Sequence, residues 1–493
     1  EADRMVNARI AQDEFDKEMT VVRNEYEMGE NSANSVLFKR VLAVAYDWHN
    51  YQNAPIGARS DIEHVPVDRL RAFYRRYYQP DNAVLTIAGK FDMDQALTLV
   101  ASAFGPLPKP ERKLEPAWTL EPTQDGERTV TVRRTGDAHT LMAAYHVPAA
   151  AHPDLAAFEV LGHVLTHQPG GRLYKALVET KLATFAAQNE ITGADPGLML
   201  YFLSVKKDLP LEPARRALFD TLDKLAAEPP TAEEVDRAKA ALKARMTRTF
   251  NDSQLIALLI SEAAAAGDWR LLFLSRDNIA KVTPADVLRV AKHYLKPDNR
   301  TVGIFQPVDK VERAEIPATP DIRAMVENYR GTAVVAAGEE FNPTPENVEK
   351  RARRVTLANG TKLVLLEKKT RGEKVIGRIT LRAGDDKQLF GQSETAALAW
   401  QLLMRGSAQH TGQQIADELS RRQARLTMGG SPSFGTANFE TSRAEVAAVL
   451  QLAAEILKAP KFDEKEFDTL KSRFLAGSEQ GRTQPEAIAS NHL

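Results

Sequence analysis

Two carboxylates open the question of chemistry in this chain. Glu18 and Glu25 lie seven residues apart in the stretch 14–32, EFDKEMTVVRNEYEMGENS. On a helix that spacing brings both side chains out of one face, about two turns apart. A pair so placed could belong to a functional site, or it could be solvated surface charge. His163 and His167 stand at i and i+4, a spacing that can clamp a metal. No glutamate lies between them, however, and Leu161, Val164 and Leu165 make that segment a core helix, so both are read as structural histidines. His49 and His64 fall in predicted loops and are not assigned as ligands. The chain has no cysteine, so any metal would rest on His, Asp or Glu, and disulfides are excluded.

The element that positions Glu18 and Glu25 is an amphipathic helix. Phe15, Met19 and Val22 recur at helical spacing among strong helix formers. The same helix returns twice. Residues 233–253, EEVDRAKAALKARMTRTFNDS, and residues 464–481, EKEFDTLKSRFLAGSEQG, repeat its pattern. At the place of Glu18 the later copies carry Ala238 and Leu470, and at the place of Glu25 they carry Arg245 and Gly477. The helix is common scaffold, whereas the paired carboxylates belong to the first copy alone. A purely structural role does not require them there.

A longer duplication surrounds these helices. Residues 65–92 and 282–309 each read as an amphipathic helix, then Tyr-x-x-Pro-Asp-Asn, then an apolar strand. Tyr77, Pro80, Asp81 and Asn82 recur as Tyr294, Pro297, Asp298 and Asn299. Proline and asparagine stop the helix and turn the chain into a buried strand. A repeat of this length is a duplicated domain. Residues 307–349 have the composition of a linker, with Pro307, Pro317, Pro320, Pro343 and Pro345 and no steady period. Beyond them, Asn359-Gly360 between two apolar runs marks a hairpin that opens a third domain. The expected organisation is the C-terminal part of a first domain in 1–112, a second domain in 113–306, a linker in 307–349 and the first part of a third domain in 350–493. The chain starts at Glu1 inside a predicted helix and stops soon after its last copy, which reads as a fragment of a longer protein.

A composition of 43% apolar and 27% charged residues is that of an ordinary globular protein. A net charge of −1 gives no footprint for nucleic acid, and the basic run at 350–354 (KRARR) reads as solvated. No apolar stretch reaches membrane-spanning length.

With these motifs in order, the chain resembles the pitrilysin/insulinase family of zinc peptidases, the inverted-motif zincins. The matching residues are Glu18, Val22 and Glu25 with Gly29-Glu30-Asn31-Ser32, then His49-Asn50-Tyr51, Ile56-Gly57 and Ser60-Asp61-Ile62. Tyr77 to Asn82 and Gly171-Arg172-Leu173-Tyr174 match as well. Asn50 stands where the family usually has proline, a departure that touches a loop. No His-x-x-Glu-His occurs in the sequence, and the family places that motif upstream of Glu25. In the third domain, the stretch 393–407 resembles the motif helix with Ala397, Trp400 and Gln401 at the His, Glu and His positions. That domain is therefore read as non-catalytic.

The resemblance implies an α+β fold of tandem pitrilysin-like (LuxS/MPP-like) metallohydrolase domains, with helices packed on mixed β-sheets. It implies Zn2+ as cofactor, Glu25 as a metal ligand and Glu18 as a supporting carboxylate outside the ligand set. The implied activity is a metalloendopeptidase that hydrolyses peptides or unfolded protein segments in an enclosed chamber by metal-activated water. A fragment without the histidine motif is expected to be inactive alone. The alternative is a non-catalytic member of the family that serves structure or substrate capture. Expected partners are a peptide or unfolded protein substrate and, as a further option, a second copy or a paired family member. The expected compartment is the periplasm by analogy, with the cytoplasm as second choice.

Overall fold

The computed structural model describes residues 1–331, 335, 337–382, 384–385, 387–388, 390–431, 433–482 and 488–489. The chain divides into two compact units, Glu1–Ile316 and Pro317–Leu493. Part of the expected linker (332–334 and 336) and the last residues of the expected third domain lie outside the described residues.

After a short helix, Ala2–Asn7, the first unit has helices α1 (Gln12–Glu30), α2 (Ala33–Ala45) and α3 (Val67–Tyr77). Then follow β1 (Arg128–Arg134), β2 (Ala138–Val147), α4 (Asp154–Thr166), β3 (Phe185–Ile191) and β4 (Gly197–Lys206). The unit ends with α5 (Glu212–Asp223), α6 (Ala232–Phe250), α7 (Ser253–Ala265), α8 (Leu271–Lys281), α9 (Pro284–Tyr294) and β5 (Arg300–Pro307). The five strands form one mixed sheet in the order β1-β5-β2-β4-β3, with β1 parallel to β5 and the other pairings antiparallel.

Period-two alternation in β2 sorts two cores. Leu141, Ala143 and Tyr145 face one side, where they pack with Phe158 and Leu161 of α4, Ala238 and Leu242 of α6 and Val287 of α9. Met142 and Ala144 face the other side and meet Val36, Leu37 and Val41 of α2. The sheet thus has helices on both faces, and strands covered on both sides read as continuous apolar runs. Gly303 of β5 allows α2 to approach, because a Cβ there would lie 2.3 Å from Val41 Cγ2.

Two sequence expectations need correction. After Asn299 the chain enters β5, but after Asn82 no strand forms. Residues 83–88 have no ladder partner among the described residues, and Val84, Leu85 and Ile87 are 64%, 47% and 48% exposed. A strand needs a neighbour for its backbone groups. The β5 strand lies between β1 and β2, and no strand among the described residues flanks 83–88. His64 also lies outside a loop. It closes the helix Arg59–His64, where its Nδ1 is 2.7 Å from the Ser60 carbonyl oxygen.

The second unit has a hairpin of β6 (Ala352–Thr356) and β7 (Lys362–Leu366) around the Asn359-Gly360 turn. Its main body runs β8 (Lys374–Arg382), α10 (Ser393–Leu402), α11 (Gly412–Arg421), β9 (Arg425–Gly430), β10 (Phe434–Ser442), α12 (Val446–Lys458) and α13 (Glu464–Gly481). The sheet order is β8-β10-β9. Strand, helix, helical turn, hairpin and two helices follow one another just as β2, α4, the π-helical turn Tyr174–Glu179, β3, β4, α5 and α6 do in the first unit. The correspondence of α6 and α13 read from sequence is therefore repeated in the fold.

Candidate active-site helix and its copies

The α1 helix carries Glu18 and Glu25, both exposed. Its seam is seated by Phe15, which is buried, with Met19 and Val22 half-buried. Its C-terminal end is tied down by Glu30, a residue to which sequence reasoning gave no role of its own. The Glu30 carboxylate accepts from Arg134 Nη2 of β1 at 2.8 Å and pairs with Lys39 of α2, and its backbone carbonyl accepts from Arg134 Nη1 at 2.9 Å. Burial pushes the Glu30 carboxyl up, but the two cations outweigh it and hold the group below the usual range. Ser32 then caps α2 by accepting from the Ser35 amide at 3.3 Å. The Gly-Glu-Asn-Ser signature thus fixes α1 to the sheet, and the available signal was an acidic residue at a helix end where a carboxylate is otherwise disfavoured.

Among the described residues, no group of three His, Asp or Glu is arranged to hold a metal ion. Two carboxylates on one helix, without an imidazole beside them, fall short of the three protein ligands of a catalytic zinc. The described residues alone therefore do not fit that ion.

The copies of α1 show what the equivalent helix face meets elsewhere in the chain. In the first unit, α6 packs on α4, and Arg245, at the place of Glu25, lines a cleft of about 430 Å³ with Glu159 and His163 of α4. In the second unit, α13 meets α10, the helix that resembles the zinc-motif helix. Gly477, at the place of Glu25, lines a cleft of about 580 Å³ together with Gln401 and Arg405. The places of Glu18 are buried in both copies, by Ala238 and Leu470. In each copy, then, the residue at the Glu25 position faces a cleft shared with the opposing helix.

The histidines fall as structural groups. His163 and His167 stack with ring centroids 4.2 Å apart. Burial, then His167 and Arg245, push His163 down to about 4, so it is neutral at pH 7. His49 is buried, with Nε2 3.3 Å from Asp195 Oδ2 and Nδ1 accepting from the Tyr51 amide at 3.2 Å. The loop before it forms a cradle of three consecutive amides. Asp47, Trp48 and His49 donate to the Glu121 carboxylate at 2.7, 3.1 and 3.0 Å. Burial raises the Glu121 carboxyl, and these amides more than reverse the effect. The His49-Asn50-Tyr51 motif thus anchors the segment leading into β1. Sequence gave no sign of Glu121.

Arg172 of the Gly171-Arg172-Leu173-Tyr174 motif clamps the start of α6. It donates to Glu234 through Nε at 2.8 Å and Nη2 at 2.7 Å, and to the carbonyls of Glu228 and Pro229 at 2.6 and 3.1 Å. Glu234 also closes a capping box with Thr231.

Comparison with known proteins agrees with this architecture. Residues 64–242 match the family model described as the peptidase M16 inactive domain. The zinc protease PqqE of Helicobacter pylori is 27% identical over 310 residues, covering 62% of this chain and 70% of that protein. The crystal structure of a protease from Helicobacter pylori superposes with a TM-score of 0.60 at 27% identity, over 62% of this chain and 75% of that one. The periplasmic protease PqqL of Escherichia coli shares the fold over 99% of this chain and 57% of its own, with a TM-score of 0.51 at 14% identity. Repeated helices, sheet topology and relatives all agree: the chain belongs to the M16 family of peptidases.

Proposed function

We propose that this chain forms part of a zinc metalloendopeptidase in which Glu25 supplies one metal ligand and Glu18 steadies the site from outside the ligand set. The observation that carries this reading is the position of Glu25 relative to its copies. Arg245 and Gly477 occupy the equivalent place, and each lines a cleft opposite the neighbouring helix. Only in the first copy is that place taken by a residue able to bind a metal. In this reading the histidines come from outside the described residues, and the chain alone neither holds zinc tightly nor cleaves peptides.

The substrate class is peptides or unfolded segments. Residues 1–112 are the C-terminal part of a first domain, 113–306 a second domain, 307–349 a linker and 350–493 the first part of a third domain. The periplasm is the proposed compartment, supported by the name of the Escherichia coli neighbour. Among the described residues, no helix is long and apolar enough to cross a membrane.

A second reading is favoured by the match of 64–242 to the inactive domain of the family: a non-catalytic partner that captures substrate or completes a paired assembly. Zinc stoichiometry of the natural full-length protein beside its Glu25→Gln variant separates the two. About one zinc per chain in the parent and a clear loss in the variant is the expected result. No zinc in either protein would overturn the enzyme reading in favour of the partner.

A further inference from the structure

The cleft between α4 and α6 is more than a lapsed copy of a metal site. Glu159, His163, Gln188, Glu190 and Arg245 supply most of its polar lining. Glu159 accepts from Ser275 Oγ at 3.2 Å, and its other oxygen lies 3.7 Å from an Arg245 nitrogen. The Arg245 side chain is 64% exposed, so this pair is loose. Glu190, half-buried on β3, makes no hydrogen bond or ion pair among the described residues. The Nε2 atom of His163 is wholly buried and also has no partner. Two carboxylates thus face one guanidinium, and a buried ring nitrogen is left unsatisfied. Such groups carry a cost unless something pairs with them.

We propose that this cleft binds an organic cation, a protonated primary amine whose ammonium group hydrogen-bonds Glu190 and the Glu159 oxygen that Arg245 meets only loosely. An ammonium offers three donors and can satisfy oxygens of both carboxylates at once. A divalent metal fits less well. Arg245 reaches into the same space, and no three metal-binding side chains converge there. An anion fits less well, because the one guanidinium there already faces Glu159.

The charge state supports the assignment. Burial and then Glu159 push Glu190 up to about 8, so near neutral pH it holds a proton in the empty cleft. An arriving ammonium takes over the role of that proton, which is released. The other titratable groups lining the site are Glu159, which burial also pushes up, His163 and Arg245, with His167 stacked on His163. Of these, His163 at about 4 and the permanently charged Arg245 do not change state between pH 6 and 9. The site is independent of the zinc reading and is measured without peptidase activity.

The test is isothermal titration calorimetry of this chain at pH 7, in two buffers of different ionisation enthalpy. The probes are 1,5-diaminopentane, a short peptide with one internal lysine, its norleucine counterpart and magnesium chloride. Saturable binding of an amine with proton release is expected. Glu190→Gln should weaken it about tenfold, and Arg245→Gln should tighten it several-fold, since a competing cation is gone. Opposite shifts in two variants separate loss of a ligand group from general damage, and circular dichroism checks that both fold. Tighter binding of the lysine peptide identifies a polypeptide as the source of the amine, and tighter binding of the diamine identifies a small molecule. No saturable amine binding, equal binding by Glu190→Gln, equal binding of the norleucine peptide, or stronger binding of magnesium overturns the proposal.

Discussion

Replacing Glu234 by Gln tests the account of how the Gly171-Arg172-Leu173-Tyr174 motif seats α6, the helix that carries Arg245. The glutamate is 22% exposed and its Arg172 partner 20%. Arg172 is the main cause that holds Glu234 down to about 2, against an ordinary 4.5, with help from the Thr231 amide and against the opposing effect of burial. A carboxyl held that low corresponds to a ceiling of about 3 kcal/mol at neutral pH. Solvent reaches the pair, and glutamine keeps one acceptor for the cap. The expected loss is therefore about 1–2 kcal/mol.

The sign follows from linkage. A depressed carboxyl stabilises above its unfolded pKa, and that stabilisation is lost as pH falls from the unfolded value through the folded one. Wild type should exceed the variant in urea unfolding at pH 7, and more than half of the gap should close by pH 3. Hydrogen exchange across the first turn of α6 localises the effect, which matters because the chain contains two compact units that need not unfold together. An Arg172→Met, Glu234→Gln double-mutant cycle should give a coupling of about 1 kcal/mol or more. A gap that stays constant between pH 7 and pH 3, or a coupling near zero, would refute the clamp.

Two further substitutions probe the sheet. Gly303→Val places side-chain atoms where Val41 Cγ2 and Leu37 Cδ1 already lie, 2.3 and 3.1 Å from the Cβ position. A loss of about 2 kcal/mol or more in urea unfolding is expected, and a near-neutral result would mean that α2 does not pack closely on β5. Asp154, 11% exposed, accepts from Arg289 at 2.6 and 3.0 Å and from the Tyr294 hydroxyl at 3.3 Å. Arg289 is the leading cause that holds this carboxyl below its ordinary 3.8. Asp154→Asn should cost about 2 kcal/mol at pH 7, with the difference shrinking at acid pH, and a pH-independent difference would contradict the pairing.

The repeat was legible in sequence because it rests on local chemistry. The Tyr-x-x-Pro-Asp-Asn stop works the same way wherever it occurs, and both Pro80–Asn82 and Pro297–Asn299 form short 3-10 turns. The strand after Asn82 was misread because a strand is a pairing. Val84, Leu85 and Ile87 have the right residue types, but the neighbour they need is not written in their own sequence. For the same reason Glu18 and Glu25 could be singled out by comparison with Ala238, Arg245, Leu470 and Gly477, whereas Glu190 could not. Its character arises from a cleft whose walls are α4, β3 and α6, which are far apart along the chain. Glu30, Glu121 and Glu234 were invisible as anchors because their partners are distant amides and guanidinium groups.

The place of β5 in the first sheet has a consequence for the order in which this unit can be built. The strand is the last element of the unit in sequence, yet it lies between β1 and β2. It joins Val130 to Gly303 on one side and Met142 to Gly303 on the other. Until it arrives, β1 has no strand partner, and one long edge of β2 is open. Such pairings between distant segments are slow to form, because the loop must close before the contacts reward it. During synthesis the β2-β4-β3 ladder can assemble first, and β1 must wait for residues some 170 positions later. A nascent chain stopped short of Arg300 would carry two adhesive edges. A separate peptide spanning 297–310 is the segment that would close them.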